Sequence, residues 1–221
     1  MQLGWLRAAS QPEEVLSFYR SAPDPFLLPR PERDFRLAVE RGQHFIVGRG
    51  PRIEAAAGVF DYGHDLPFVE LSETRVSDPL RGFGLQRLFL LVRVASVVAF
   101  QGPGVLCTCA VDPGNTRSLA NVESVGFRPW NAPPPEALAS CPECPRRPVS
   151  GHRRCCCDFY ALPVEQARGA VGAFLAQTAG GVLTLSARLK GTLKLDCSSC
   201  LVATDSEVRS ALGEFASGSS W

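Results

Sequence analysis

Hydrophobic and polar positions regroup along the chain in a pattern that predicts a mixed α/β protein. The first third reads as strand, helix, helix, hairpin. Ser10-Gln11-Pro12-Glu13 has the form of a capping box: the Ser10 hydroxyl is placed to accept from the Glu13 N–H, and Pro12 stands where no helical N–H is missed. The helix it opens is expected to run to about Arg20, with Val15, Leu16 and Tyr19 on one face. A second helix fits Pro31 to Arg41, with apolar positions at Phe35, Leu37, Ala38 and Val39 and a terminating Gly42. Two strand-like runs, His44–Val47 and Ile53–Phe60, flank Gly48-Arg49-Gly50-Pro51, which is a hairpin signal.

The middle third carries the strongest periodicity. Phe68–Val76 alternates as a strand, with Glu70, Ser72, Thr74 and Val76 expected on one face and Leu71, Glu73 and Arg75 on the other. After Arg81-Gly82-Phe83-Gly84-Leu85, the run from Leu88 to Phe100 is apolar nearly all round, as a helix buried against a sheet is. Val105–Val111 reads as the next strand, Asp112-Pro113-Gly114 as a turn, and Asn115–Val125 as a helix closed by Gly126. Asn131–Pro135 and Pro142–Pro148 then read as loop, and Cys155–Leu162 as a strand. Pro163–Gln177 has helical spacing, Val182–Leu195 looks like a hairpin turning at Lys190-Gly191, and Asp205–Phe215 like a short helix before a frayed tail. There is no internal repeat.

Composition narrows the classes. The chain has 221 residues, of which 45% are hydrophobic and 20% charged, so it can bury a core, and wholesale disorder is excluded. Lys and Arg total 23 against 22 Asp and Glu, which denies it the surplus that a nucleic-acid or anionic-membrane binder needs. No apolar run reaches the ~18–20 residues that span a bilayer. The opening MQLGWLRAAS lacks the apolar stretch of a secretory signal, so the cytoplasm is the expected compartment. Nine cysteines cannot all pair within one chain; in a reducing compartment they read as thiols or metal ligands.

A strand, then Gly-x-Gly, then a buried helix is the geometry of an anion site. Glycines turn the backbone tightly and leave N–H groups open, and the helix N-terminus adds its dipole. The Lys-Ser/Thr of a nucleotide P-loop and the third glycine of a dinucleotide fingerprint are both missing. Val76-x-x-x-x-Arg81-Gly82-x-Gly84-Leu85, followed by Asn115-x-x-Ser118 and Gly126-Phe127, resembles the signature of the GNAT superfamily of acyl-CoA-dependent N-acetyltransferases. The order of elements matches over roughly Met1 to Leu162.

The resemblance implies a mixed, mainly antiparallel sheet flanked by helices, whose fourth and fifth strands splay to admit the pantetheine arm of acetyl-CoA. Thr74, Arg75 and Val76 would then offer backbone groups to the pantetheine and acyl carbonyl. Arg81, Gly82, Phe83, Gly84, Leu85 and Gln86 would wrap the pyrophosphate, and Asn115, with Ser118 in the same motif, would face the thioester end. Two positions depart from the pattern. Gln86 replaces the usual Gly or Ala, either crowding the phosphate or marking a register shifted to Pro79. Val122 stands where many members carry a Tyr acid seven residues after the Asn, although the branch with Asn-x-x-Ser also lacks that Tyr.

A neutral amine must attack the thioester, so a base has to take a proton. Glu70, eleven residues before Arg81, is where the resemblance puts such a base, with Glu73 second. His64 is a lesser candidate for contact with the acceptor. A nucleophilic role for Cys107 or Cys109 has no clear His partner. Separately, Cys141-Pro142-Glu143-Cys144 is a zinc-knuckle spacing. Its second pair would come from His152, Cys155, Cys197 or Cys200, giving a structural Zn that pins the insert and tail. The resulting expectation is an acyltransferase domain over 1–162 with a Cys-rich insert at 131–154, and a C-terminal extension over 163–221. The expected activity is acetyl transfer from acetyl-CoA to a primary amine. The alternative is a non-catalytic acyl-CoA-binding or zinc-stapled interaction module.

Overall fold

The computed structural model describes residues 2–21, 24, 27, 30–61, 68–102, 104–131, 133 and 157–218. Within them a single sheet runs through the molecule. Its strands are β1 (Gln2–Ala8), β2 (His44–Arg49), β3 (Arg52–Asp61), β4 (Phe68–Val76), β5 (Leu106–Val111), β6 (Arg128–Pro129), β7 (Asp158–Leu162), β8 (Val182–Ala187) and β9 (Gly191–Asp196). The spatial order is β6-β7-β5-β4-β3-β2-β1-β9-β8. Pairing is antiparallel except at β1–β9 and β4–β5. This is the mixed, mainly antiparallel sheet that the family resemblance implies.

Helices cover both faces. On one lie α1 (Pro12–Arg20) and α2 (Glu32–Glu40), which bury Val15, Leu16, Phe18, Phe35, Ala38 and Val39 against Ile46, Ala56 and Phe60. On the other, α3 (Leu85–Gln101) packs its largely apolar surface against β3, β4 and the helices α4 (Thr116–Val125) and α5 (Val164–Gln177). The short α6 (Leu201–Thr204) and α7 (Ser206–Ser217) complete that layer, with Asp205 capping α7 through the N–H groups of Glu207 and Val208.

Two local expectations are corrected. The N-cap of α1 is Gln11 rather than Ser10, and Glu14, not Glu13, folds back to accept from the N–H groups of Ser10 and Gln11 at 2.9 and 3.3 Å. Arg7 holds that carboxylate from the β1 side at 2.7 Å, which decides the register. Leu37 is 47% exposed and does not belong to the buried face of α2. The C-terminal hairpin is continuous with the sheet: β9 lies parallel to β1, and Leu193, Leu195, Val171, Phe174, Leu212 and Phe215 enter the same core as α3.

Candidate active site

The strands β4 and β5 pair only through Phe68–Leu106, Val69–Cys107 and Glu70–Thr108, and then part. Thr108 marks the apex by donating its hydroxyl to the Val69 carbonyl at 2.9 Å. Beyond it β5 continues beside β7 alone, a pairing that runs from Cys107–Leu162 to Val111–Asp158, while β4 stays with β3 as far as Val76–Ala55. The edge of β4 from Leu71 onward thus faces a gap, as expected for Phe68–Val76 and Val105–Val111.

A bulge divides β4. Gly58 pairs with Ser72 and Ala56 with Arg75, so two residues of β4 stand opposite Ala57 alone. Among the described residues Glu73 is the one non-glycine with positive φ, at 56°. The Tyr19 hydroxyl donates to the Glu73 carbonyl and steadies that conformation. Gly58 is required opposite, because a Cβ there would stand 2.6 Å from the Phe60 ring and 2.7 Å from His44 Nδ1.

The extra residue reverses the alternation. Sequence spacing puts Glu73 on the face away from Glu70; the bulge returns it to the same side, where both carboxylates meet Arg30. Arg30 Nη2 donates to Glu70 Oε2 at 2.8 Å, and its Nε to Glu73 Oε1 at 3.4 Å. All three side chains are nearly buried. Burial outweighs the Arg30 guanidinium and pushes the Glu73 carboxyl up to about 7, with the Glu70 charge adding to the rise. Thr74 faces the other way, toward α3. Arg75 turns back to α1, donating to the carbonyls of Phe18 and Tyr19 and lying over the Phe18 ring.

Sequence reasoning missed the group that holds the bulge from the α3 side. Arg93 is 1% exposed. It donates to Gly58 O at 3.0 Å, Ser72 O at 2.9 Å, Thr74 Oγ1 at 3.0 Å and Phe89 O at 2.9 Å. A bulge leaves ladder carbonyls without partners, and this guanidinium supplies the donors. The signal was in plain view: Arg93 is the one cation inside the Leu88–Phe100 apolar run. Tyr19 and His44 were missed as well. They contribute to an aromatic cluster with Phe35 and Phe60, in which burial drives His44 down to about 3, leaving it neutral.

The glycine turn follows β4 through a short 3₁₀ turn, Asp78–Leu80. Leu80, Phe83 and Leu85 anchor it in the core, while Arg81, Gly82 and Gly84 are exposed. Gly82 and Gly84 have φ of 91° and 79°, and a Cβ at either would meet nothing within 4 Å. The need for glycine is therefore conformational, and the space outside the turn is open. Gly84 is the N-cap of α3 and has no side chain to cap it. Leu88 bonds back to Gly84 O at 3.0 Å, so the earlier N–H groups of the first turn lack intrahelical partners. Open amides at the start of a 17-residue helix suit an anion such as a diphosphate.

Gln86 does not crowd this opening. Its amide is drawn aside to α4, donating to Ser118 Oγ at 2.8 Å and accepting from Asn121 Nδ2 at 2.9 Å. Asn115 is the N-cap of α4, its Oδ1 accepting from the Ser118 N–H at 3.1 Å. The Asn-x-x-Ser spacing thus caps α4 and ties it to the first turn of α3. Arg81 lies back along the turn, donating to Val76 O and pairing with Asp78. Val122 is 2% exposed and brings no proton donor.

The cysteine expectations fare differently. Burial pushes the Cys107 thiol far above its ordinary range and Cys109 up to about 12, which disfavours the thiolate that nucleophilic attack needs. Cys197 and Cys200 lie in the hydrophobic core, pushed up to about 11 and 12 by burial. Among the described residues no group of three metal-ligating side chains assembles around them, and Cys141 and Cys144, the partners expected for them, lie outside those residues. Cys141, Cys144, His152 and Cys155, with His64, lie outside the described residues. No described helix is long and apolar enough to cross a membrane.

No protein-family model matches the sequence, and no curated protein does. Solved structures do. An acetyltransferase-assigned protein of Salmonella typhimurium, solved with its cofactor acetyl-CoA, aligns at a TM-score of 0.52 and 13% identity, covering 73% of this chain and 94% of its own. A protein from Desulfovibrio desulfuricans, assigned to the acetyltransferases of the GNAT family, aligns at 0.51 and 15%, covering 73% and 99%. At these identities the likeness is one of fold, and this chain has the fold of the GNAT acetyltransferases.

Proposed function

We propose that the protein is an N-acetyltransferase that moves the acetyl group of acetyl-CoA to a primary amine. The observation that carries this reading is the parting of β4 from β5 beside the uncapped glycine turn, with two carboxylates on the neighbouring strand face. Acetyl-CoA would supply an activated thioester and a diphosphate. The amides of Gly82 to Arg87 fit the diphosphate, and the backbone of Thr74, Arg75 and Val76 fits the pantetheine along the free edge of β4. Asn115 and Ser118 act in this reading by fixing the start of α4 against α3, and so the far wall of the gap.

The acceptor approaches on the α1–α2 side, where Glu70 and Glu73 stand. An alkyl amine with a pKa of roughly 10 arrives protonated at neutral pH. Glu73, with a proton affinity near neutrality, suits the base that removes that proton. The amine nitrogen then bonds to the acyl carbon and the carbon–sulfur bond breaks. The sulfur leaves as thiolate and takes up the second proton, which the nitrogen must shed to become an amide, so no acid from α4 is needed, in keeping with Val122.

The test is release of free CoA thiol from acetyl-CoA across a panel of primary amines. Amine-dependent release is expected, and it should fall by roughly 10²-fold or more in Glu73→Gln. Binding of CoA without release for any amine favours the second reading, a non-catalytic acyl-CoA-binding module, to which the buried Val122 also points.

A further inference from the structure

Three arginines in the described structure have nearly buried guanidinium groups near β4, and they differ in what they hold. Arg75 and Arg93 donate to backbone carbonyls of Phe18, Tyr19, Gly58, Ser72 and Phe89, which staples elements together. Arg30 instead sits among carboxylates. It lies 2.8 Å from Glu70, 3.4 Å from Glu73 and 4.0 Å from Asp34, and its guanidinium carbon stands 4.0 Å from the centre of the Phe60 ring. Acidic oxygens around an aromatic face form a receptor for an organic cation. The residue comes from the end of the α1–α2 connection, immediately before α2, and not from the sheet that carries the carboxylates.

The chemistry of this position matches what the reaction requires. A protonated amine must be drawn in, held against carboxylates and relieved of a proton beside the gap, and Arg30 occupies that place with a cation of its own. We propose that Arg30 is a built-in occupant of the acceptor pocket, and that the true acceptor is a cationic amine without a nearby carboxylate that displaces it from Glu70, Glu73 and Phe60. This rests on the transferase reading and names its acceptor class and a self-inhibiting contact. Displacement breaks the Arg30 pairs and forms equivalent ones to the incoming ammonium, so charge in the pocket is conserved through the exchange. The population with Arg30 seated subtracts directly from the amine-competent fraction, which raises the apparent KM of the wild type.

The test uses the full chain, with Arg30→Ala as the principal variant and Arg30→Lys as a second that keeps a charge in place. Acetyl transfer is measured to 1,4-diaminobutane and to 4-aminobutanoate, which differ in one end group. Arg30→Ala is expected to lower KM for the diamine by roughly tenfold. Arg30→Lys should fall between it and the wild type, and 4-aminobutanoate should stay a poor acceptor for all three. Methylguanidinium should then inhibit Arg30→Ala competitively with the diamine while leaving the wild type untouched. A variant that loses kcat at unchanged KM, or that methylguanidinium reactivates, overturns the proposal and makes Arg30 a positioning residue for Glu70. Calorimetry separates this from failure of the transferase reading. Methylguanidinium should bind Arg30→Ala and not the wild type whether or not acetyl-CoA is turned over, and no binding to the variant refutes the pocket.

Discussion

Titration of Glu73 offers a quantitative check on the site. Its carboxyl is pushed from an ordinary 4.5 to about 7, chiefly because burial disfavours its charge, and the Arg30 guanidinium only partly opposes this. The sign follows from linkage. Between these two values the unfolded chain has released the proton and the folded chain still holds it, so stability falls as pH rises through that window. A shift of this size corresponds to about 3 kcal/mol, fully present as stability below pH 4.5 and lost above pH 7. Glu73→Gln removes the titration while keeping size and hydrogen-bonding capacity. Urea unfolding of both proteins at intervals between pH 5 and pH 8 measures the difference directly. The wild type should lose about 2–3 kcal/mol relative to the variant across that range, and the acid limb of its kcat/KM profile should fall near pH 7. A stability difference that does not change with pH would refute the reasoning: Arg30 would then hold Glu73 ionised throughout, and its role as a base poised at neutrality would go with it.

Other outcomes follow from the same geometry. Arg93→Met should cost about 3–5 kcal/mol, because the carbonyls of Gly58, Ser72 and Phe89 and the Thr74 hydroxyl lose a charged donor; denaturant titration measures it. Gly84→Val forces a β-branched residue to φ 79°, a strain of about 1–2 kcal/mol, and calorimetry should show coenzyme A affinity reduced at least tenfold. Cys107, Cys109, Cys197 and Cys200 should resist a disulfide reagent at pH 8 until denaturant is added, given thiols that burial has made reluctant to ionise. A chain ended after Leu162 should not fold alone, since β9 and α5 complete the sheet and core; its expected loss of cooperative melting is read by circular dichroism.

The sequence disclosed the elements more readily than their fine alternation. Period and turn residues located β4, α3, α4 and the C-terminal hairpin within a few positions, and two glycines at the head of an apolar helix marked the turn between β4 and α3. Pairing at long range was invisible: nothing in Val182–Asp196 says that β9 lies against β1. The bulge was equally hidden, because a period of two assumes regular pleating, and one left-handed residue at Glu73 moves every later side chain across the sheet. That single residue decides whether Glu70 and Glu73 share a pocket. Gln86 looked like an obstruction because its spacing relates it to the glycine turn, whereas its hydrogen bonds go to α4. The partners of buried cations are not legible from spacing either. Arg30 and Arg93 look alike in the sequence, yet one meets carboxylates and the other carbonyls.

Calorimetric titration with acetyl-CoA puts the whole account at risk in one measurement. Saturable one-to-one binding that fades in Gly84→Val is the predicted result. Absence of heat at millimolar acetyl-CoA, with the fold intact by circular dichroism, would mean that the gap beside β4 does not receive the donor, and the transferase reading would fall.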